Sequence, residues 1–373
     1  MSTGKHVVVV GGGAAGSQIA KAIATQLAGG CSVTLLEARE YYPHYIGSLR
    51  AIVTDEGNLE EKVLIPLDKL FPSNTSHAKV VHETATAIEP NPKGAGGKVT
   101  TDAGTSYVYD ILIVATGNTW EGPLVLPNGR KDAINHIKEW RNQIKSAKGI
   151  AIVGGGPVGA ELAGEIRDVY KDKKITIVHR EERLFSSVYP DKFRKGADKQ
   201  WSKRDIKVIA EDEIVDIPAY PAADVKTRKG VPLYSELVIP CRGGRPNTSL
   251  LSTTGRNVLS STGHVKVDAH LQVEGLPGVF AAGDIIDWKE VKQAAKYGGH
   301  TTTIVANVKQ ILNGGQPSVP YKSAFEAILV TNGINGGVAY LGILWGLTFG
   351  NWFVRMAKSK DLFITMTRKN LGY

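Results

Sequence analysis

Two short glycine runs are the first residues in this sequence whose types and spacing could do chemistry. Gly11-Gly12-Gly13-Ala14-Ala15-Gly16 and Gly154-Gly155-Gly156-Pro157-Val158-Gly159 share the spacing GxGxxG and begin 143 residues apart. Such a run suits a dinucleotide pyrophosphate. Gly11 permits a tight turn, Gly13 lets the backbone approach the phosphates, and Gly16 allows close helix–strand packing. The phosphates would rest on the free amides of the helix N-terminus, at Ala14 and Ala15. Gly154, Gly156 and Gly159 repeat the three roles, with Pro157 and Val158 opening the second helix. Glu37 follows Gly16 by 21 residues, where a carboxylate accepts hydrogen bonds from ribose hydroxyls. The matching place after the second run holds His179 and Arg180, with Arg183 one turn on. A neutral imidazole beside a guanidinium removes the repulsion of a 2′-phosphate and supplies donors, so NADPH should be accepted. Glu181 and Glu182 work against that preference, and NADH stays admitted.

The elements needed to position these residues are present on both sides. His6–Val10 and Ile150–Val153 read as buried strands, since β-branched residues run without interruption. Helix-forming stretches follow, Gln18–Leu27 and Ala160–Ile166, and then strands Ser32–Leu36 and Lys174–Val178. One GxGxxG is weak evidence. Two in matching strand–turn–helix settings imply two dinucleotides bound by one chain.

Composition bounds the rest. In 373 residues, hydrophobic side chains make up 42% and charged ones 22%, so a sizeable core is expected and general disorder is not. The net charge of +9 is compatible with ordinary solubility. Cys31 and Cys241, 210 positions apart, exclude a disulfide scaffold, a cysteine zinc site and a CxxC redox pair, and no metal site is expected. The start, Met1-Ser2-Thr3, has no secretory pattern, and Ser2 fails the N-myristoylation pattern. Pro90–Gly97 reads as a hairpin turn.

Further segments resemble the two-dinucleotide-binding-domain flavoproteins. Asp110–Gly117, with Ala115-Thr116-Gly117, looks like that family's crossover from the flavin domain. Leu237–Asn247, including Gly244, looks like the return from the pyridine-nucleotide domain. Gly278–Asp284, ending Gly283-Asp284, resembles the motif whose Asp binds the ribityl chain of FAD. Within the superfamily the sequence is similar to apoptosis-inducing-factor-like proteins of the ferroptosis-suppressor type. The likeness is carried by Leu49-Arg50-Ala51, Gly154–Ile166, Lys292–Asn307 and the tail Val354–Phe363. The fold implied is α/β, with two Rossmann-like, glutathione-reductase-like domains and a small α/β C-terminal domain. FAD would bind residues 1–119 and 240–316, NAD(P)H residues 120–239, and residues 317–373 would form a membrane-association module.

The resemblance implies a membrane-associated NAD(P)H:quinone oxidoreductase using FAD with NADPH or NADH. Asp284 would tie down the ribityl chain, and a helix starting near Lys292 would aim its amides at the flavin. Lys292 could equally be a solvent-facing helix lysine. Glu161 either orients the carboxamide or relays a proton between nicotinamide and flavin, or it simply favours the helix dipole. His44 faces flavin or quinone, or is structural in its tyrosine-rich loop; Arg50 neutralises FAD phosphates or pairs at the surface. A helix from about Trp345 would place Trp345, Phe349, Trp352 and Phe353 on one face, with Arg355, Lys358 and Lys360 following, as an interfacial segment needs. The alternative buries those rings in the module's own core. For Asp191–Lys207, with seven Lys/Arg, a solvated helix face is the default reading. Two readings compete with the quinone: a soluble protein carrier, and a signalling or DNA-binding flavoprotein, so nucleic acid is a secondary partner. A monomer or homodimer is expected, on the cytoplasmic face of the mitochondrial outer membrane, a lipid droplet or the plasma membrane and in cytosol, with mitochondria a further location.

Overall fold

A computed structural model describes residues 4–373; Met1, Ser2 and Thr3, on which the acylation reading falls, lie outside the described residues. Strand β1, Lys5–Val10, has its last four residues buried and runs straight into helix α1, Ala14–Gln26. The chain returns in β2, Cys31–Leu36, pairing parallel to β1 with Val10 opposite Leu36. A short helix α2, Tyr45–Ala51, follows. Strands β3, Ala78–Val81, and β4, Ile111–Val114, and the segment Val279–Ala281 complete a parallel sheet of order Val279–Ala281, β4, β1, β2, β3. Its central strands β1 and β4 are buried on both faces, which explains their apolar runs, while the edge strand β3 is only partly buried. The expected hairpin is present: Pro90 pairs with Gly97 across an antiparallel ladder.

The second sheet repeats the plan. β5, Gly149–Val153, leads into α3, Pro157–Val169, and β6, Lys174–Val178. After α4, Asp191–Ser202, come β7, Ile206–Ile209, and β8, Leu237–Pro240. The parallel order is β7, β6, β5, β8.

Helix α5, Tyr297–Leu312, returns to pack on α1. It starts five residues later than the sequence indicates. A 3-10 turn, Ala294–Lys296, leads into it, and residues 291–293 stay non-helical with long-range partners: Val291 N–H reaches Glu326, and the Gln293 amide donates to Tyr189 Oη at 2.8 Å.

The last segment forms an antiparallel sheet of β9, Ala327–Thr331, β10, Gly337–Leu341, and β11, Leu347–Phe349. This corrects the expected helix from Trp345. Leu344 and Trp345 take positive φ, 46° and 65°, with Gly346 at 92°, so the chain reverses in a tight hairpin instead. Helix begins only at α6, Asn351–Val354, and continues as a π-helical turn, Arg355–Ser359. Helix α7, Ile364–Asn370, then delivers Leu371 into the core of the first sheet. Ile328, Val330, Leu362 and Ile364 join the core of the second. The C-terminal residues therefore staple both units.

Candidate functional site

The first glycine run lies where β1 ends and α1 begins. Gly11 has φ of +100°, and a side chain there would run into the Ala115 carbonyl of the neighbouring crossover. Space opposite Gly13, by contrast, is open, leaving room for phosphates above the α1 amides. The Gly12 N–H donates to Glu37, which is 4% exposed, and the second Glu37 oxygen accepts the Arg39 amide at 3.0 Å and its guanidinium at 3.2 Å. Thr116 Oγ1 donates to the Asn247 carbonyl, so the two crossover segments touch. Gly244 lies against Asn118. Asp284 accepts from Asn118 Nδ2 at 2.6 Å and from the Tyr297 hydroxyl, and burial raises its pKa above the ordinary carboxylate value.

The second run has the same geometry with a different closing group. Gly154 has φ of +121° and abuts the Cys241 carbonyl, and the space opposite Gly156 is open. Here the Gly155 N–H donates to His179 Nδ1 at 3.1 Å. An imidazole nitrogen that accepts an amide proton carries none itself, so the His179 proton sits on Nε2. Nε2 is buried and, among the described residues, has no hydrogen-bond partner. Burial pushes the His179 pKa down, with nearby Glu181 opposing. Arg180 is exposed, while Arg183 is engaged by Glu182 and Asp198. Val158 lines a small pocket with Trp120, Leu124, Cys241 and Arg242. Both cradles fit a dinucleotide: each is open where phosphates would lie, and the second holds an orphaned donor.

Helix α3 carries two buried carboxylates one turn apart. Glu161 Oε1 accepts Lys358 Nζ at 2.5 Å and the Thr331 amide at 2.9 Å. Glu165 forms a two-pronged pair with Arg50 at 2.7 and 2.8 Å, and Arg50 also donates to the Ser359 carbonyl. Arg50 thus joins α2, α3 and the π-helical turn, and its guanidinium is committed to Glu165 rather than free for phosphates. Lys358, expected at a lipid surface, is 8% exposed and turned inward. Such pairs, with charges 197 and 115 residues apart along the chain, leave no local signal.

The other expected residues divide. His44 is 3% exposed and its Nε2 meets the Leu362 carbonyl at 2.7 Å; burial lowers its pKa, so it is a neutral bracket for the C-terminal segment. Lys292 is half-buried and donates to the Trp288 carbonyl at 2.9 Å, in the extended stretch ahead of α5. Burial lowers its pKa, against the fields of Glu290 and Asp284. Behind Asp284 lies a network that the sequence did not reveal. The Gly283 amide donates to His300 Nδ1 at 3.1 Å, and His300 Nε2 donates to Glu290 at 3.0 Å. Tyr321 also donates to Glu290, whose pKa is lowered to about 2 despite burial, His300 and Tyr321 hydrogen bonds outweighing it. Lys296 pairs with Glu326 at 2.5 Å, tying this network to the residue that precedes β9. The nearest signal was His300 itself, three residues into α5.

Neither cysteine can act as a dithiol relay. Cys31 and Cys241 are buried in different hydrophobic cores, and burial pushes their thiols up to about 11 and about 12. Among the described residues no helix is long and apolar enough to cross a membrane.

The pyridine nucleotide-disulphide oxidoreductase family matches residues 5–306. A FAD-dependent oxidoreductase FVFD30 of Flammulina velutipes is 40% identical over 86% of this chain and 99% of its own. Apoptosis-inducing factor homolog B of Dictyostelium discoideum is 32% identical over 96% of this chain and 95% of its own. Human ferroptosis suppressor protein 1 is 29% identical over 98% and 95%. Among solved structures, the sulfide:quinone oxidoreductase of Aquifex aeolicus superposes with a TM-score of 0.76 over 98% of this chain and 92% of its own, at 16% identity, a likeness of fold. The chain with its two glycine cradles belongs to the pyridine nucleotide-disulphide oxidoreductase family and is an FAD-dependent oxidoreductase that uses a pyridine nucleotide.

Proposed function

We propose that the chain is an NAD(P)H:quinone oxidoreductase working at the surface of an intracellular membrane. The observation that carries this reading is the C-terminal module, which turns two opposite faces to two tasks. Inward, Lys358 reaches Glu161 at the start of the NAD(P)H helix. Outward, Leu344, Trp345, Trp352 and Met356 are 71%, 102%, 77% and 71% exposed. Aromatic and aliphatic side chains bared this fully suit the headgroup region of a bilayer, where a quinone is drawn from. Bound FAD and NAD(P)H supply the hydride chemistry. The protein's part is to orient them: the α1 and α3 amides hold phosphates, Glu37 and His179 meet the two riboses, and Asp284 meets the ribityl chain. Glu161 and Lys358 hold a transferable proton in a water-poor seam. Both thiols are buried and far apart in the sequence, so the chain offers no dithiol relay to a disulfide acceptor, which supports a quinone. Exposed Arg180 would supply a donor for a 2′-phosphate, and the neutral His179 ring removes the repulsion that a carboxylate would bring, which supports use of NADPH alongside NADH.

The test is anaerobic stopped-flow reduction of the purified holoprotein by NADPH and NADH, followed by mixing with a short-chain ubiquinone. Rapid bleaching of the flavin and rapid reoxidation are expected. Rapid bleaching with sluggish reoxidation by quinone, but prompt reoxidation by a soluble protein carrier, would overturn the quinone assignment.

A further inference from the structure

Helix α4 bears a feature that the oxidoreductase chemistry leaves unused. Lys192, Lys195 and Lys199, with Lys203 capping the C-terminal end in helical conformation, recur at spacings of three, four and four, which places them within an arc of about 80°. All four are exposed, while Ala197 and Trp201 on the opposite side are both 0% exposed and Phe193, on the flank between, is 3% exposed. The acids of α4 do not neutralise the stripe: Asp191 pairs with Arg194 and Asp198 with Arg183. Among the described residues none of the four lysines has a salt-bridge partner.

The stripe borders the apolar hairpin. Phe193 lies 6.0 Å, centroid to centroid, from Tyr340 of β10, whose ring packs beneath Gly346 of the hairpin turn. Gln200 approaches Gly350 at the hairpin's other end. On the helix, Phe193 and Gln200 sit roughly a quarter-turn from the lysines, so stripe and hairpin are lateral neighbours. Phe349 and Phe353 stack at 4.3 Å and lock the hairpin to α6. Arg355 and Lys360, both exposed, follow directly.

We propose that α4 is the electrostatic half of the membrane-docking face and that its partner is an anionic leaflet, recognised through lipid headgroup carboxylates and phosphates. The proposal rests on the membrane reading above and adds the class of lipid. The hairpin supplies apolar depth, which any bilayer accepts, while the lysines supply selection by charge. Each lysine near an anionic surface strengthens binding by roughly fivefold at moderate salt, and the effect is screened over about 10 Å at 0.1 M salt. A nucleic-acid duplex would also take the lysines, but it has no use for bare Leu344 and Trp345.

The experiment is sedimentation of the full-length FAD-loaded protein with vesicles of phosphatidylcholine alone or with added phosphatidylserine. The expected result is binding to both, at least about a hundredfold tighter to the phosphatidylserine vesicles, with the preference lost at high salt. Combined K192Q, K195Q, K199Q and K203Q should remove the preference and keep the weaker binding to phosphatidylcholine. L344S with W345S should abolish binding to phosphatidylcholine. Unchanged melting temperature and flavin content show that each variant is folded. Equal binding of the native chain to both vesicles overturns the proposal and leaves the membrane reading standing. So does a quadruple variant that keeps the full preference. Absence of binding to either vesicle overturns both readings, and lysine-dependent binding to a DNA duplex without vesicle binding assigns the stripe to nucleic acid.

Discussion

The two glycine cradles share a backbone and differ in the group that closes them. After Gly12 the closing group is the Glu37 carboxylate; after Gly155 it is the His179 ring. In each, the amide of the middle glycine donates to the side chain at the end of the next strand. That amide aims a negative oxygen in the first and a bare nitrogen in the second, so the groups left to face the ribose differ in kind. Glu37 presents acceptors to hydroxyl groups, while His179 presents one buried donor. On the proposed reading the difference teaches how a repeated fold would assign separate ligands: the turn would carry the phosphates of either, and one side chain would choose.

The largest expected effect breaks the turn itself. A methyl on Gly16 would strike the Gly11 carbonyl, and one on Gly159 the Gly154 carbonyl. G16A should yield protein with flavin content lowered at least about tenfold. G159A should retain its yellow flavin yet raise the KM for NAD(P)H at least about a hundredfold, since misplacing a phosphate cradle forfeits several charge-assisted hydrogen bonds. Absorbance per polypeptide and steady-state kinetics read the two. Equal loss of flavin in both would break the assignment of one nucleotide to each.

A smaller effect changes only the closing group. H179E places a carboxylate where Glu37 stands in the first cradle. Two charges about 4 Å apart near a protein surface interact by about 4 kcal/mol, so kcat/KM for NADPH should fall by about a hundredfold or more while NADH changes little. R180A should cost NADPH about tenfold, the share of one exposed charge-assisted contact. A ratio of NADPH to NADH unmoved by H179E would show that the donor at Nε2 faces something else.

The smallest effect is on pH dependence. Because burial lowers the His179 pKa, the folded ring stays neutral while the unfolded ring gains a proton near pH 6.5. Its contribution to stability is therefore lost as pH falls through that value, and H179N should flatten this part of the melting-temperature profile. Glu290 acts further down. Held at about 2, it stabilises the fold above the ordinary carboxylate range and loses that contribution as pH falls towards 2. In E290Q the drop in stability between pH 5 and pH 2 should be smaller.

Much of this was legible in advance because the signals are local. A β-branched strand, a GxGxxG turn and a helix occupy one short stretch, and the parallel sheets follow from the apolar runs. The C-terminal module was less legible. Twenty-eight uncharged residues, 327–354, contain six glycines, and apolar spacing alone did not separate a helix from a hairpin around Trp345. What separated them was cross-strand pairing of Tyr340 with Thr348 and of Leu341 with Leu347. The start of α5 was displaced for the same reason, since Val291 and Gln293 find their partners at Glu326, just before β9, and at Tyr189, just before α4.

The sequence by itself determined two nucleotide cradles, their order, and the acid and imidazole that close them. Each turn is built from six consecutive residues, and its closing group follows 24 or 25 positions on, within one strand–helix–strand unit whose parallel pairing brings the two together. Tertiary structure alone decided that Lys358 turns inward to Glu161, that Arg50 clasps Glu165, and that His300 and Glu290 brace the loop of Asp284. A buried charge must find an opposite charge to offset its lost hydration. Which one it finds depends on how helices pack rather than on any interval along the chain.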